Sequence, residues 1–397
     1  MMGWGMLFPV MVLVSQARGA GRLRVAPKLI RQGLWLCGFL FVPGGAILWH
    51  LEEILLSTGQ LPELARVAGD YMDYRLWTLF MGFTTTVFMF AFTAIGRSAT
   101  SAVILWCAVG LNAILDYALI FGKFGLPAMG VAGAGLASVI VFGIVHMTFF
   151  THLAFHRFFS HVTLFQRAWR PRKTTIGQFF RLGWPKALET MIKNSLFFVI
   201  TLLAGWFGVR AVAAHTIAFQ ISLVAGIVVP AAIAGAVTTR MGMVMGGKNR
   251  DGMWSILTSG ILLLLLFILP AVVALKLFSP QVIMLFVGAG PEGRDLVSFA
   301  SPLIVLVAVF VLFDSVRMVI GYALNGLSDM KMPTVIIGLA YWGIGLPVGA
   351  VLGFTMDLGV LGLWWGLTFG MAITAITNLI RFRWLVGHLA TTVVRDA

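Results

Sequence analysis

The chain has 397 residues, of which 60% are hydrophobic and only 11% are charged. Soluble domains carry about 25% charged residues, so the composition excludes an ordinary water-soluble globular protein. The net charge of +14 comes with no aromatic-interleaved basic groove, and lysine and arginine gathered in cytoplasmic loops account for it without a nucleic-acid partner.

In chain order, Met1–Val14 is apolar but shorter than the about 20 residues of a span. It lacks the basic start of a signal peptide and reads as the tail of a longer helix. Arg18, Arg22, Arg24, Lys28 and Arg31 then read as a basic loop. Leu34–Trp49 is a span, with a kink expected at Pro43-Gly44-Gly45. Glu52, Glu53, Glu63, Asp70 and Asp73 read as an acidic loop. Leu76–Ile95, Ala102–Phe121 and Met129–Phe149 follow as spans, the last two joined by a turn at Gly125-Leu126-Pro127. A basic segment with Arg157, Arg167, Arg170, Arg172, Lys173 and Arg181 reads as a linker. Six further spans are Gly183–Trp206, Val212–Val237, Ile256–Phe278, Val297–Leu324, Pro333–Phe354 and Leu358–Ile380. Arg240, Lys248 and Arg250 fall between the second and third of these, and Arg381, Arg383 and Arg395 close the chain.

Such long continuous apolar runs argue against a barrel, whose strands alternate. The fold class is therefore an all-α polytopic membrane protein with about ten full spans and one partial span. Every second loop is basic and the others are short or acidic, so the basic loops share one side of the membrane, which puts the linker and the C-terminus in the cytoplasm. The order of basic loop and spans occurs twice. Gly130-Val131-Ala132-Gly133 opens the last span of one half and Gly359-Val360-Leu361-Gly362 that of the other. These motifs fall about 112 and 119 residues after the basic-loop starts at Arg18 and Arg240, the mark of a duplicated unit. The expected organisation is an N-terminal lobe over 1–155, a cytoplasmic linker over 156–182 and a C-terminal lobe over 183–397. An offset of about 220–230 residues between the halves sets the counterpart of Gly183-Trp184-Pro185 roughly 40 residues before Met1. The first half is thus expected to lack one helix and much of another.

Ionisable residues within spans are functional candidates. Asp314 has Arg317 three residues on, roughly the same helical face, so the two either pair structurally or line a cavity; the functional reading is preferred. Glu189 and Lys193 are four apart, followed by Asn194; the spacing favours a neutralising pair, and a structural pair and a cation- or substrate-binding site stand equally open for them. Lys186, nearer the cytoplasmic end, is expected to snorkel. Asp116 lies one turn after Asn112. A carboxylate facing hydrocarbon would cost roughly 2.5–3.5 kcal/mol, so Asp116 faces a cavity or a partner, while Asn112 can equally stitch two helices together. His152 and His156 are four apart, with His161 beyond; the spacing suits a metal, but a solvated cytoplasmic face is the preferred reading. Cys37 and Cys107 lie inside apolar runs and form no disulfide framework. There is no nucleophile–base pair and no phosphate-cradling loop. Neither an enzyme, a metal nor a cofactor is expected.

Several stretches carry a family resemblance. Asn112-x-x-x-Asp116, then Ile120-Phe121-Gly122 through Gly125-Leu126-Pro127 to Gly130-Val131-Ala132-Gly133-Ala134-Gly135-Leu136-Ala137-Ser138, resembles the fifth and sixth helices of the multidrug and toxic compound extrusion (MATE) antiporters. Leu182-Gly183-Trp184-Pro185, Ala213-Ala214-His215, Phe313-Asp314-Ser315-Val316, Leu324-Asn325-Gly326 and Tyr341-Trp342-Gly343 through Pro347 continue the likeness in order. The resemblance implies twelve helices in two six-helix lobes. It also implies export of cationic or amphipathic small molecules in exchange for H+ or Na+, from a monomer in the inner (plasma) membrane whose partners are its substrates and the bilayer. Asp314 resembles a cation-linked aspartate of the family's C-terminal lobe, and Asn112 and Asp116 resemble its N-terminal cation site. Exclusion between ion and substrate at Asp314, with two rocking lobes, would give antiport. Two positions depart from the pattern: Lys193 stands where the family often has a glutamate, and Asn325 where it has an arginine. A lipid or lipid-linked-sugar flippase, for which Lys193 and Arg317 supply cationic character, is one alternative; an inactive truncated remnant is the other.

Overall fold

A computed structural model describes residues 2–155, 170–247, 252–288 and 290–396. Ten of its helices are long and apolar enough to cross a membrane, one for each span expected above. Two compact units divide the chain, Gly3–Gly183 and Trp184–Ala397 with Met1–Met2. His156, Arg157, His161 and Arg167 of the expected linker and histidine cluster lie outside the described residues.

In the Gly3–Gly183 unit the first apolar run is two short helices, Met2–Leu7 and Pro9–Gly19. Proline at the first helical position suits a new start, because its missing N–H would have no partner there anyway. Arg18 is helical rather than part of a loop. Its Nη1 donates to the Ala94 carbonyl at 3.2 Å, a cation at the C-terminus of the Pro62–Ala94 helix where the backbone dipole favours one. Ala26–Trp49 runs unbroken through Pro43. The acidic stretch also differs from the expected loop. Glu52 and Glu53 occupy the first turn of Leu51–Ser57, and Glu63 that of Pro62–Ala94, where carboxylates complement the helix dipole. Buried Gln32 fixes the basic segment against Ala26–Trp49, donating to the Arg170 carbonyl at 3.1 Å and accepting from the Arg172 amide at 2.8 Å.

Ser98–Phe121 ends at Gly122, which adopts φ +66° as helix-terminating glycines do. The chain turns and begins Gly130–Phe155, with the Met129 amide donating to the Leu119 carbonyl at 2.9 Å. A Cβ at Gly133 would stand 2.6 Å from that carbonyl oxygen. The small residue is therefore a packing requirement of the hairpin, since in lipid helices associate through close contact rather than water exclusion.

The Trp184–Ala397 unit takes the helix Lys173–Gly205 from Trp184 onward, then Val209–Gly246, Met253–Leu277, Ser279–Val287, Pro291–Gly326, Lys331–Thr355 and Gly359–Asp396. Lys331–Thr355 is not uniform: it widens to π-helix at Leu339–Gly345 and Val351–Thr355 around Pro347, as helices do where a proline interrupts their hydrogen bonds. Its glycines meet those of Gly359–Asp396. A Cβ on Gly366 would lie 2.3 Å from the Gly349 Cα, and one on Gly362 2.5 Å from the Gly353 amide nitrogen.

Inside the unit, His215 links three helices. Trp364 Nε1 donates to His215 Nδ1 at 3.2 Å, so the imidazole hydrogen belongs on Nε2, which faces Thr201 Oγ1 at 2.9 Å. Thr201 then donates to the Phe197 carbonyl at 2.8 Å. Phe310 meets the Trp364 ring edge-on at 5.2 Å and completes the cluster. The outward faces are apolar: Leu262, Leu266, Phe267 and Val273 of Met253–Leu277 are all exposed, as hydrocarbon contact requires.

Candidate functional site

The Lys173–Gly205 and Pro291–Gly326 helices bring their charged side chains together inside the Trp184–Ala397 unit. Asp314 is spent on both oxygens. Oδ1 accepts from Arg317 Nε at 2.9 Å and Nη2 at 2.7 Å, and Oδ2 accepts from Lys193 Nζ at 2.8 Å. The far side of the guanidinium, Arg317 Nη1, lies 3.8 Å from Glu189 Oε1. The other oxygen of Glu189 accepts from Lys186 Nζ at 2.8 Å. The result is one alternating chain: Lys193, Asp314, Arg317, Glu189, Lys186. Among the ion pairs of the described residues both ends are cations, and three positive groups against two negative ones leave an excess of one positive charge.

The expected neutralising pair of Glu189 with Lys193 does not form. An i, i+4 pair across a helix surface is worth only about 0.2–0.5 kcal/mol. Each group instead finds a buried partner of opposite sign, Lys193 across on Asp314 and Glu189 on Arg317 and Lys186. The expected snorkelling of Lys186 fails as well. Its side chain is 3% exposed and its ammonium lies 4.4 Å from the centre of the Tyr322 ring. The helix begins at Lys173, and thirteen residues at 1.5 Å each set Lys186 about 20 Å along it, beyond the reach of a lysine stem.

The chain has a buried end and an open end. Lys186, Asp314 and Arg317 are almost fully enclosed, whereas the Lys193 side chain is 28% exposed. Desolvating unpaired charges costs several kcal/mol each, so the alternation of signs is what makes the buried part tolerable. Asn194 follows Lys193 and is exposed. Lys186 and Tyr322 were not singled out as site residues from the sequence. The signal for Lys186 was its i, i+3 spacing from Glu189; nothing local pointed to Tyr322.

In the Gly3–Gly183 unit, Asn112 lines a cavity of about 310 Å³ with Thr85, Ser138 and apolar residues that include Val109 and Phe142. The Thr85 hydroxyl is buried and has no hydrogen-bond partner among the described residues. Asp116, one turn on, is half-buried and outside that lining. Among the described residues no group of three or more histidine, cysteine, aspartate or glutamate side chains is placed to hold a metal. His152, the described member of the expected histidine cluster, lies with its ring 5.3 Å from Phe92.

Ten apolar helical spans among the described residues, with an enclosed chain of ionisable groups in one unit, suit a polytopic membrane transport protein. The MatE family profile matches residues 1–118 and 185–351. A probable multidrug resistance protein NorM from Mesorhizobium japonicum is 32% identical over 96% of this chain and 82% of its own. One from Pseudomonas putida is 31% identical over 97% of this chain and 83% of its own. Among solved structures, a MATE protein in complex with MaL6 superposes with a TM-score of 0.89 at 20% identity, covering 98% of this chain and 86% of the other. The eukaryotic MATE transporter AtDTX14 gives 0.83 at 18% identity, covering 99% and 87%. The chain belongs to the MATE family of membrane transporters.

Proposed function

We propose that this protein exports amphipathic small molecules, drugs among them, across the inner (plasma) membrane in exchange for H+ or Na+. The observation that carries the reading is the five-charge chain held inside apolar spans, since buried ionisable groups in a membrane bundle are retained where a substrate or ion passes. The names of the NorM relatives support the substrate class. We assign the coupling ion to Asp116, which is half-buried with Asn112 one turn away and in no ion pair among the described residues. Asp314 is less open to an ion. Both its oxygens hold cations, so a proton, Na+ or a cationic substrate meets it in competition with Lys193 and Arg317. Ion and substrate need no shared atom: an ion that binds one access state better than the other shifts the equilibrium between them. The lysine and arginine bias supports a cytoplasmic C-terminus.

Dye efflux from cells tests this reading. Cells expressing the wild-type protein are expected to hold less of a fluorescent amphipathic dye than cells without it, and to lose that difference when the proton and sodium gradients are collapsed. Equal dye levels, with the protein present in the membrane, would refute export. The positive excess of the charge chain favours a second reading, a flippase for lipids or lipid-linked sugars with anionic headgroups. Competition by headgroup analogues, without competition by dyes, would select it.

A further inference from the structure

Resting on the transporter reading above, we propose that Lys193 is the substrate-facing end of the charge chain and that it binds an anionic group, a carboxylate or phosphate, on an otherwise apolar molecule. Three observations converge on it. The five charges do not cancel; they sum to one positive charge. The chain is sealed at Lys186 and open at Lys193, so the exposed terminus is an ammonium. An ammonium has three donors, and Lys193 directs one of them to Asp314 Oδ2 at 2.8 Å. The other donors can meet an incoming oxyanion while that bond stays intact.

The location of the excess charge argues for a ligand. A lysine facing hydrocarbon would cost roughly 2.5–3.5 kcal/mol, so its exposed part faces water or a bound group. An anion docked there makes the chain five charges plus one, with three of each sign. A cationic ligand meets the opposite situation. It finds an outward ammonium, and the nearest carboxylate, Asp314, already has a cation on each oxygen. Asp314 and Arg317 act as positioning residues: the guanidinium fixes the carboxylate through two hydrogen bonds to Oδ1, and the carboxylate holds the ammonium at the chain's end. Charge preference is thus set by Lys193, the exposed end of the chain.

The test uses the full chain in nanodiscs of zwitterionic lipid. Two fluorescent probes share one apolar body, and one ends in a carboxylate, the other in a quaternary ammonium. Wild-type protein is expected to bind the carboxylate probe at least about tenfold more tightly, the size of a charge-assisted hydrogen bond in a poorly solvated site. In Lys193→Gln that preference should vanish or reverse, because the anion loses its ammonium and Asp314 Oδ2 is released; Lys193→Arg should retain it. Equal binding of the two probes by the wild type, or tighter binding of the ammonium probe, overturns the assignment without any variant having to fold. An unchanged preference in Lys193→Gln overturns it as well. Repeating the titration with anionic lipid in the nanodisc separates the sources of the group: loss of probe binding marks a lipid headgroup as occupant, and undiminished binding marks a free amphipathic acid. Because this readout is binding, it can succeed where dye export fails, and the reverse.

Discussion

Charge order within the five-residue chain sets what each side chain is worth. Removing Lys186 leaves two cations and two carboxylates, still alternating. Removing Glu189 leaves three cations and one carboxylate, with Arg317 and Lys186 buried beside each other. Breaking a buried pair so as to strand a charge costs roughly 3–5 kcal/mol; without Lys186, Glu189 still has Arg317 at 3.8 Å, whereas without Glu189 no carboxylate separates the two cations. Glu189→Gln should therefore lower the thermal unfolding midpoint of the purified protein clearly more than Lys186→Met; the opposite order would mean that the chain is not electrostatically continuous. Asp314→Asn should both lower the midpoint and abolish transport, since it removes the only carboxylate bonded to Lys193 among the described residues. The sequence announced Asp314, Arg317, Glu189 and Lys193 as intramembrane charges, because a charge in an apolar run is visible in one dimension. It could not announce their pairing. Lys193 and Asp314 are 121 positions apart, and the local spacing that favoured Glu189 with Lys193 is a weak force beside a buried partner on another helix.

At the level of helices, two contacts decide whether the Trp184–Ala397 unit packs. One is the glycine seam, where Gly345, Gly349 and Gly353 meet Gly362, Gly366 and Gly370. Gly366→Leu inserts a branched side chain where even a Cβ would stand 2.3 Å from the Gly349 Cα. Overpacking typically costs about 1–3 kcal/mol, and more is expected here because backbone, not a side chain, must move. The variant should give little monodisperse protein on size exclusion, whereas Gly343→Ala, where a Cβ meets nothing within 4 Å, should behave as wild type. The other contact is the His215 link. Trp364→Phe keeps an aromatic ring but removes the pyrrole part of the indole and with it the donor to Nδ1, leaving a buried acceptor unpaired at about 1–3 kcal/mol beside a new void, readable as a lower unfolding midpoint. Spans were legible because hydropathy integrates over some twenty residues. The acidic stretch and Arg18 read as loops because they are polar, yet Arg18 and Glu63 belong to helices that extend past the apolar runs and Glu52 and Glu53 to a short helix of their own; polarity marks the membrane edge, not the helix end.

For the molecule as a whole, the duplicated order of basic loop and spans, the family match and the fold point to a transporter. On the proposed reading, what such a chain carries depends on the sign of its interior, and selectivity rests on the five-charge chain in one unit and on Asn112 and Asp116 in the other. With the coupling ion on Asp116, Asp116→Asn should leave probe binding at Lys193 unchanged while ending the dependence of transport on the ion gradient. The most direct measurement is transport in proteoliposomes of defined ion composition, following the carboxylate and ammonium probes in parallel under an imposed H+ or Na+ gradient. Gradient-driven movement of the carboxylate probe, lost in Asp116→Asn, with slower or no movement of the ammonium probe, is the expected result. Leakage rates equal to those of protein-free vesicles for both probes under both gradients would contradict the transport function itself, and gradient-driven movement of the ammonium probe alone would contradict the charge preference assigned to Lys193.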